Sequence, residues 1–206
     1  MANLNAPYGL RPLRYMDGRP YNGAVVHGFA TGATGAIFIG DPVILAGAAN
    51  TSEIMGTYPP GTLPTVTVAA DGDGDPIFGV CVGVLPSSRD SAPYRVDSTD
   101  RVILIANGPD LVFVGQCDAA STAWAGTDVG SYANLKVGTG STITGKSAWT
   151  LDTTDVPDNN DPSNQLLIIG LFNSPNNAIG AYGQWEVLIN DHQLANVADA
   201  GRFTGV

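Results

Sequence analysis

The chain has 206 residues, a formal charge of −10, 44% hydrophobic residues and 14% charged ones. That apolar fraction is ample for a core and excludes wholesale disorder, and the acidic balance excludes nucleic acid as a partner, because phosphate recognition depends on clustered Lys and Arg. No apolar run approaches the length of a membrane span, so no membrane partner is expected, and the opening MANLNAPYGLRPLRY lacks the apolar stretch of a secretory signal.

The charged set is unusual in kind. There are two lysines (Lys136, Lys146) and two glutamates (Glu53, Glu186), against 17 Asp and 26 Gly. Glu and Lys suit exposed helix faces, whereas Asp, Gly, Ser, Thr and Asn favour turns. A chain poor in the first set and rich in the second is built from strands and loops.

In chain order, residues 1–22 come first as an extended N-terminal arm. The first 21 hold Pro7, Pro12 and Pro20, Tyr8, Tyr15 and Tyr21, and Arg11, Arg14 and Arg19, with Asp17 as the sole acid. Three arginines against one acid give this segment +2 and leave −12 for the rest. Its prolines disfavour helix and central strand alike. Short β-type runs come next at 24–30, 36–39, 42–45, 65–69, 77–84, 94–97, 102–106 and 111–115, then at 134–137, 148–151, 166–172 and 184–189. Turn chemistry separates them: Gly40-Asp41-Pro42, Asp73-Gly74-Asp75-Pro76, Asn107-Gly108-Pro109-Asp110 and Ser174-Pro175-Asn176-Asn177. Many short strands at close spacing predict an all-β fold, a β-barrel or β-sandwich, with residues 23–206 as one β-rich domain. Helix is weakly indicated at 118–124 and 191–200, each opening on an Asp cap. Residues 152–164, DTTDVPDNNDPSN, read as an acidic surface loop.

Several motifs invite chemistry. Gly140-Ser-Thr-Ile-Thr-Gly145-Lys146-Ser147 matches the phosphate-loop pattern, but such a loop needs a strand before it and a helix starting at Lys-Ser. The residues after Ser147, AWTLDTTDVPDNNDP, cannot make three helical turns, so a β-turn region is expected and no nucleotide cofactor. Asp71, Asp73 and Asp75 resemble the start of a calcium loop, yet Pro76 stands where the turn needs glycine and Val82 where a bidentate carboxylate is needed. No metal is expected there. His27 and His192 are not at ligand spacing with each other or with either cysteine, and no G-x-S-x-G elbow marks a serine, so no catalytic residue is assigned. Cys81 and Cys117 read as buried free thiols or as one disulfide. Trp124, Trp149 and Trp185 are scattered singly, which suits packing better than a sugar platform.

The arm remains the most informative feature. Tyr and Arg are the residue types that anchor interfaces, and an extended segment with no core of its own needs another surface to lie on. Tyr8, Arg11, Arg14, Tyr15 and Arg19 are therefore the candidate partner-binding residues. A cationic arm on an acidic body suits an acidic neighbour, including a second copy.

The opening NAPYGLRPLRYMDGRPYNGA, the central IFGVCVGV, the stretch KVGTGSTITGKSAWTLD and the closing WEVLINDHQL resemble a group of tailed-bacteriophage virion proteins taken to be capsid decoration, or cement, proteins. The resemblance touches both ends and the middle. It implies a non-enzymatic structural protein, made in the host bacterial cytoplasm and carried on the virion, that binds and stabilises the major capsid protein lattice as a homotrimer on the outer capsid surface. It brings no active-site residues. The alternative is a head-fibre or tail component that binds a receptor or carbohydrate.

Overall fold

The computed structural model describes residues 3–119, 124–154, 157–158 and 161–195. Two β-structures pack together, sharing one hydrophobic cluster while the barrel encloses another. The first is a closed barrel in the order β2-β4-β3-β5-β6, built from Val26–Ala30, Pro64–Val68, Pro42–Ala49, Gly79–Val84 and Arg101–Ala106 respectively. The second is a five-stranded sheet in the order β1-β7-β12-β11-β8, from Arg11–Tyr15, Leu111–Gln116, Gln184–Ile189, Leu166–Leu171 and Tyr132–Ala133. A small ribbon joins β10 (Thr150–Leu151) to β9 (Leu135–Lys136). Helical structure among the described residues is confined to one 3₁₀ turn, Gly126–Asp128. The fold is all-β, as the turn-forming composition predicts, and it contains a barrel.

The barrel closes where β2 pairs antiparallel with β6 along its full length, Val26 opposite Ile105 and Ala30 opposite Arg101. The one parallel pairing in the barrel, β2 with β4, meets at Phe29 and Thr65. Register shifts between Cys81 and Gly83 and between Leu45 and Ala49 mark bulges, which bend strands and raise twist, as closure of so few strands requires. Inside lie Val43, Val66, Phe78, Cys81, Ile103 and Ile105, all buried.

Strand β7, LVFVGQ, is buried at all six positions. A continuous apolar run of this length is the mark of a strand covered on both faces. It lies between β1 and β12 and carries Phe113 into a core that also takes Val80 and Ala106 from the barrel, Leu10 from the N-terminal segment and Trp124, Trp149 and Trp185. The tryptophans are each at most 2% exposed. Trp124 and Trp185 meet edge to face with ring centres 5.8 Å apart.

Both edges of the sheet are blunted. Beyond β1 the chain turns at Asp17-Gly18 and folds back, so that the Tyr15 amide donates to the Arg19 carbonyl and the Tyr21 amide to the Leu13 carbonyl. At the other edge Tyr132 bridges Asp158. Open edges are templates for unwanted pairing, and covering them limits it.

Three sequence expectations need correction. Residues 36–39 and 94–97 make only isolated bridges, Ile37 with Arg95 and Ile39 with Lys146, and form no ladder. The described start of 191–200 is not helical: His192 bridges Ile77 and residues 193–195 are a turn, while 196–200 lie outside the described residues. The helix expected at 118–124 falls largely on 120–123, which lie outside the described residues; Asp118 itself receives Lys136 and Thr153. The largest correction concerns residues 1–22. From Arg11 to Tyr15 this segment is β1, hydrogen-bonded to β7, and not an arm extending away from the body. Its proline is accommodated because β1 is an edge strand and the register shifts between Pro12 and Arg14, the two circumstances in which a sheet admits proline.

Candidate docking cleft

The N-terminal segment is fastened residue by residue before it reaches β1. Asn3 donates through its side-chain amide to the carbonyls of Ala178 and Ala181 and accepts from the Ala178 amide. Buried Gln116 accepts the Ala6 amide at 3.0 Å and donates to the Leu4 carbonyl at 2.7 Å. The Tyr8 hydroxyl lies 3.4 Å from the Gln184 side chain, and burial raises its pKa despite the opposing effect of Arg11.

At Gly9 the segment crosses the turn at Gly40 with no room between the backbones. A Cβ on Gly9 would lie 2.1 Å from the Gly40 carbonyl oxygen, and one on Gly40 would lie 2.0 Å from the Tyr8 oxygen. Both glycines also adopt positive φ, 73° and 103°, which side chains disfavour. The Leu10 amide then donates to Gly40 at 2.9 Å, and the Leu10 side chain enters the core.

Beneath this crossing sits Asp41, 2% exposed. Its carboxylate accepts the Phe38 amide at 2.8 Å and a hydrogen bond from Ser147, while its Oδ1 has no partner among the described residues. Burial raises its pKa to about 6, with those two hydrogen bonds opposing the rise. Ser147 belongs to the phosphate-loop match, whose role is now visible. Residues 141–145 make a tight turn in which the Gly145 amide donates to the Ser141 carbonyl, with Gly145 at φ 69°. Lys146 and Ser147 continue as a bridge to Ile39, and no helix begins there. The amides of a phosphate loop would have to face an anion; here those of Ser141, Gly145 and Ser147 are spent on backbone carbonyls.

Between the crossing and the barrel lies a cleft of about 350 Å³. Tyr8, Leu10, Tyr21 and Val82 form its walls, with Arg11 and Lys146 also lining it. The Arg11 guanidinium lies 5.3 Å from the centre of the Tyr8 ring and 5.9 Å from that of Phe172.

The five predicted contact residues thus divide. Tyr8 and Arg11 line the cleft. Arg14 is spent within the chain, its guanidinium 2.6 Å from Glu186 on β12. Arg19 closes the hairpin on Asp17 at 2.5 Å and lies over the Tyr15 ring at 4.9 Å, which occupies Tyr15 as well. Sequence reasoning did not place Lys146 beside this segment, because the contact arises only from the Gly9–Gly40 crossing.

The other motifs serve structure. Asp71 accepts the Val137 amide and Asp73 the Asn134 side chain, while buried Gln165 donates to the carbonyls of Ala70 and Asp75. No group of three or more His, Cys, Asp or Glu converges as a metal cluster among the described residues. Buried His192 faces the Asn107 carbonyl through Nε2 and accepts the Leu194 amide through Nδ1. His27 lies edge-on to Tyr58, with Nδ1 3.1 Å from its hydroxyl. Cys81 and Cys117 are free and buried, and burial pushes both thiols up. Compared with known proteins, the chain matches no family model, no curated protein and no solved structure.

Proposed function

We propose that the chain is a non-enzymatic structural protein of a tailed-bacteriophage particle, a capsid decoration protein that binds and stabilises the lattice of the major capsid protein. The single observation that supports this most is the pairing of a fastened aromatic and cationic face, Tyr8 and Arg11 beside Lys146, with a body of strongly negative charge. Such a face is suited to adhesion: aromatic rings and a guanidinium supply contact area and directed hydrogen bonds at little entropic cost when already held in place. The resemblance of both chain ends to capsid decoration proteins supplies the particle. A protein that binds the assembled lattice and not free shell subunits stabilises the lattice by mass action, with no catalytic step.

The fold changes how the idea is tested. Because Leu10 fills the core and β1 pairs with β7, deleting the N-terminal segment would unfold its own sheet and say nothing about contacts. Substituting Arg11→Glu leaves the strand in place. Shells stripped of this chain should bind the purified protein saturably, gain thermal stability, and cross-link Lys146 to the major shell protein; a chain that stays in the supernatant at every concentration overturns the proposal. The carbohydrate-binding alternative expects exposed tryptophans, and Trp124, Trp149 and Trp185 are all buried.

A further inference from the structure

We infer that the cleft between the N-terminal strand and the barrel docks an extended acidic peptide segment of a partner protein, seating one bulky apolar side chain against Tyr8, Leu10, Tyr21 and Val82 and its carboxylates against Arg11 and Lys146. The inference rests on the adhesive reading for the kind of partner and names the face and the chemistry that would recognise it.

Charge placement is the first argument. Arg14, Arg19, Arg95 and Lys136 each face a carboxylate of this chain, buried Arg101 donates to the Leu85 carbonyl, and exposed Arg89, which pairs with no carboxylate among the described residues, does not line the cleft. Arg11 and Lys146 pair with no carboxylate among the described residues, both are exposed, and both line the same cleft although they lie far apart in sequence. Two cations without a carboxylate partner lining one cleft, one of them (Arg11) lying over the Tyr8 and Phe172 rings, are on a chain of −10 complementary to carboxylates on a partner. A nucleic acid would bring a dense phosphate array against the acidic body, which the remaining surface would repel.

Shape is the second argument. At about 350 Å³ the cleft lies at the small end of ligand sites, a size that suits one large side chain. Its walls are aromatic and aliphatic, and Ile39 on its lining is 36% exposed. It is also preformed: the Gly9–Gly40 crossing sets one wall, Tyr8 meets Gln184, and Gly145, buried against Pro93, sets the turn that presents Lys146. Preformed sites avoid the ordering cost that weakens binding by mobile segments.

The test is an amide NMR titration of the full chain with three capped tripeptides at millimolar concentration: Glu-Leu-Glu, Gln-Leu-Gln and Glu-Ser-Glu. Glu-Leu-Glu should shift the amides of Leu10, Gly40 and Val82 saturably, and the other two should not. The double substitution Arg11→Gln with Lys146→Gln, whose spectrum away from the cleft should be unchanged, should weaken binding by about fivefold or more. Equal binding of Gln-Leu-Gln, unchanged affinity in the double variant, or no shift at the cleft overturns the inference. Cleft amides that shift on dilution without peptide would identify a second copy as the occupant, and the partner named here would be wrong. These outcomes are separable from the proposed function: a protein that decorates shells through another face would still sediment with them while the cleft stayed silent.

Discussion

Gly9 and Gly40 touch backbone to backbone, and the hydrogen bond from Leu10 to the Gly40 carbonyl results directly from that contact. The crossing welds the N-terminal strand to the barrel and forms one wall of the cleft. Gly9→Ala and Gly40→Ala should each cost about 3 kcal/mol or more, since each adds a backbone clash to a positive φ. Thermal unfolding should show drops of roughly 6–12 °C for a chain of this size. A change within a degree of wild type would mean that the crossing is loose.

Arg95 is a buried organiser that bridges Ile37. It is fully buried, donates to the carbonyls of Gly32, Gly35 and Thr99, and lies 3.6 Å from Asp97. Replacing it with alanine removes three hydrogen bonds to carbonyls of exposed or half-buried loop residues and empties the buried space the side chain fills, so Arg95→Ala should cost about 2–3 kcal/mol in denaturant unfolding. Arg95→Lys, with a point charge in place of a planar fork, should recover only part of that.

Asp41 gives a pH dependence with a definite sign. Burial raises its folded pKa from 3.8 to about 6, so between those values the folded state holds the proton more tightly than the unfolded one. Stability from this group therefore falls as pH rises from about 4 to 6 and levels off above. A rise of that size corresponds to about 3 kcal/mol. Asp41→Asn should flatten that part of the curve relative to wild type while keeping an acceptor for the Phe38 amide. Parallel curves for the two proteins between pH 4 and 7 would contradict the assignment.

Much of this fold was legible in the sequence. The excess of Asp and Gly over Glu and Lys pointed to strands and turns, and runs such as LVFVGQ and QWEVLI became β7 and β12 with boundaries within a residue. The N-terminal strand was misread because Pro7, Pro12 and Pro20 mimic an arm; only pairing with β7 shows that proline is tolerated at that edge. Asp41, Arg95 and Gln165 gave no signal because buried polar residues in loops carry no periodicity, and each has at least one partner far away in sequence, Ser147 for Asp41, Gly32 for Arg95 and Ala70 for Gln165. Of the predicted contact residues, Tyr8 and Arg11 line the cleft, but Lys146 could not be joined to them without the crossing. The phosphate-loop match could be dismissed from its flanks alone.

Cys81 and Cys117 should be inert in the folded protein, because each thiol is buried and held in its protonated form. A thiol-reactive dye should label neither under native conditions and both in denaturant. Rapid native labelling of Cys81, which is buried inside the barrel and borders the cleft, would show that the barrel opens there far enough to admit the dye.

Adhesion to a shell, the function proposed for this protein, is measured by co-sedimentation with stripped phage shells across a concentration series. Binding should saturate at a fixed ratio to the major shell protein, the shell melting temperature should rise, and affinity should be at least about fivefold weaker for Arg11→Glu. Failure of the folded wild-type chain to sediment with the shells at any concentration would contradict the proposal.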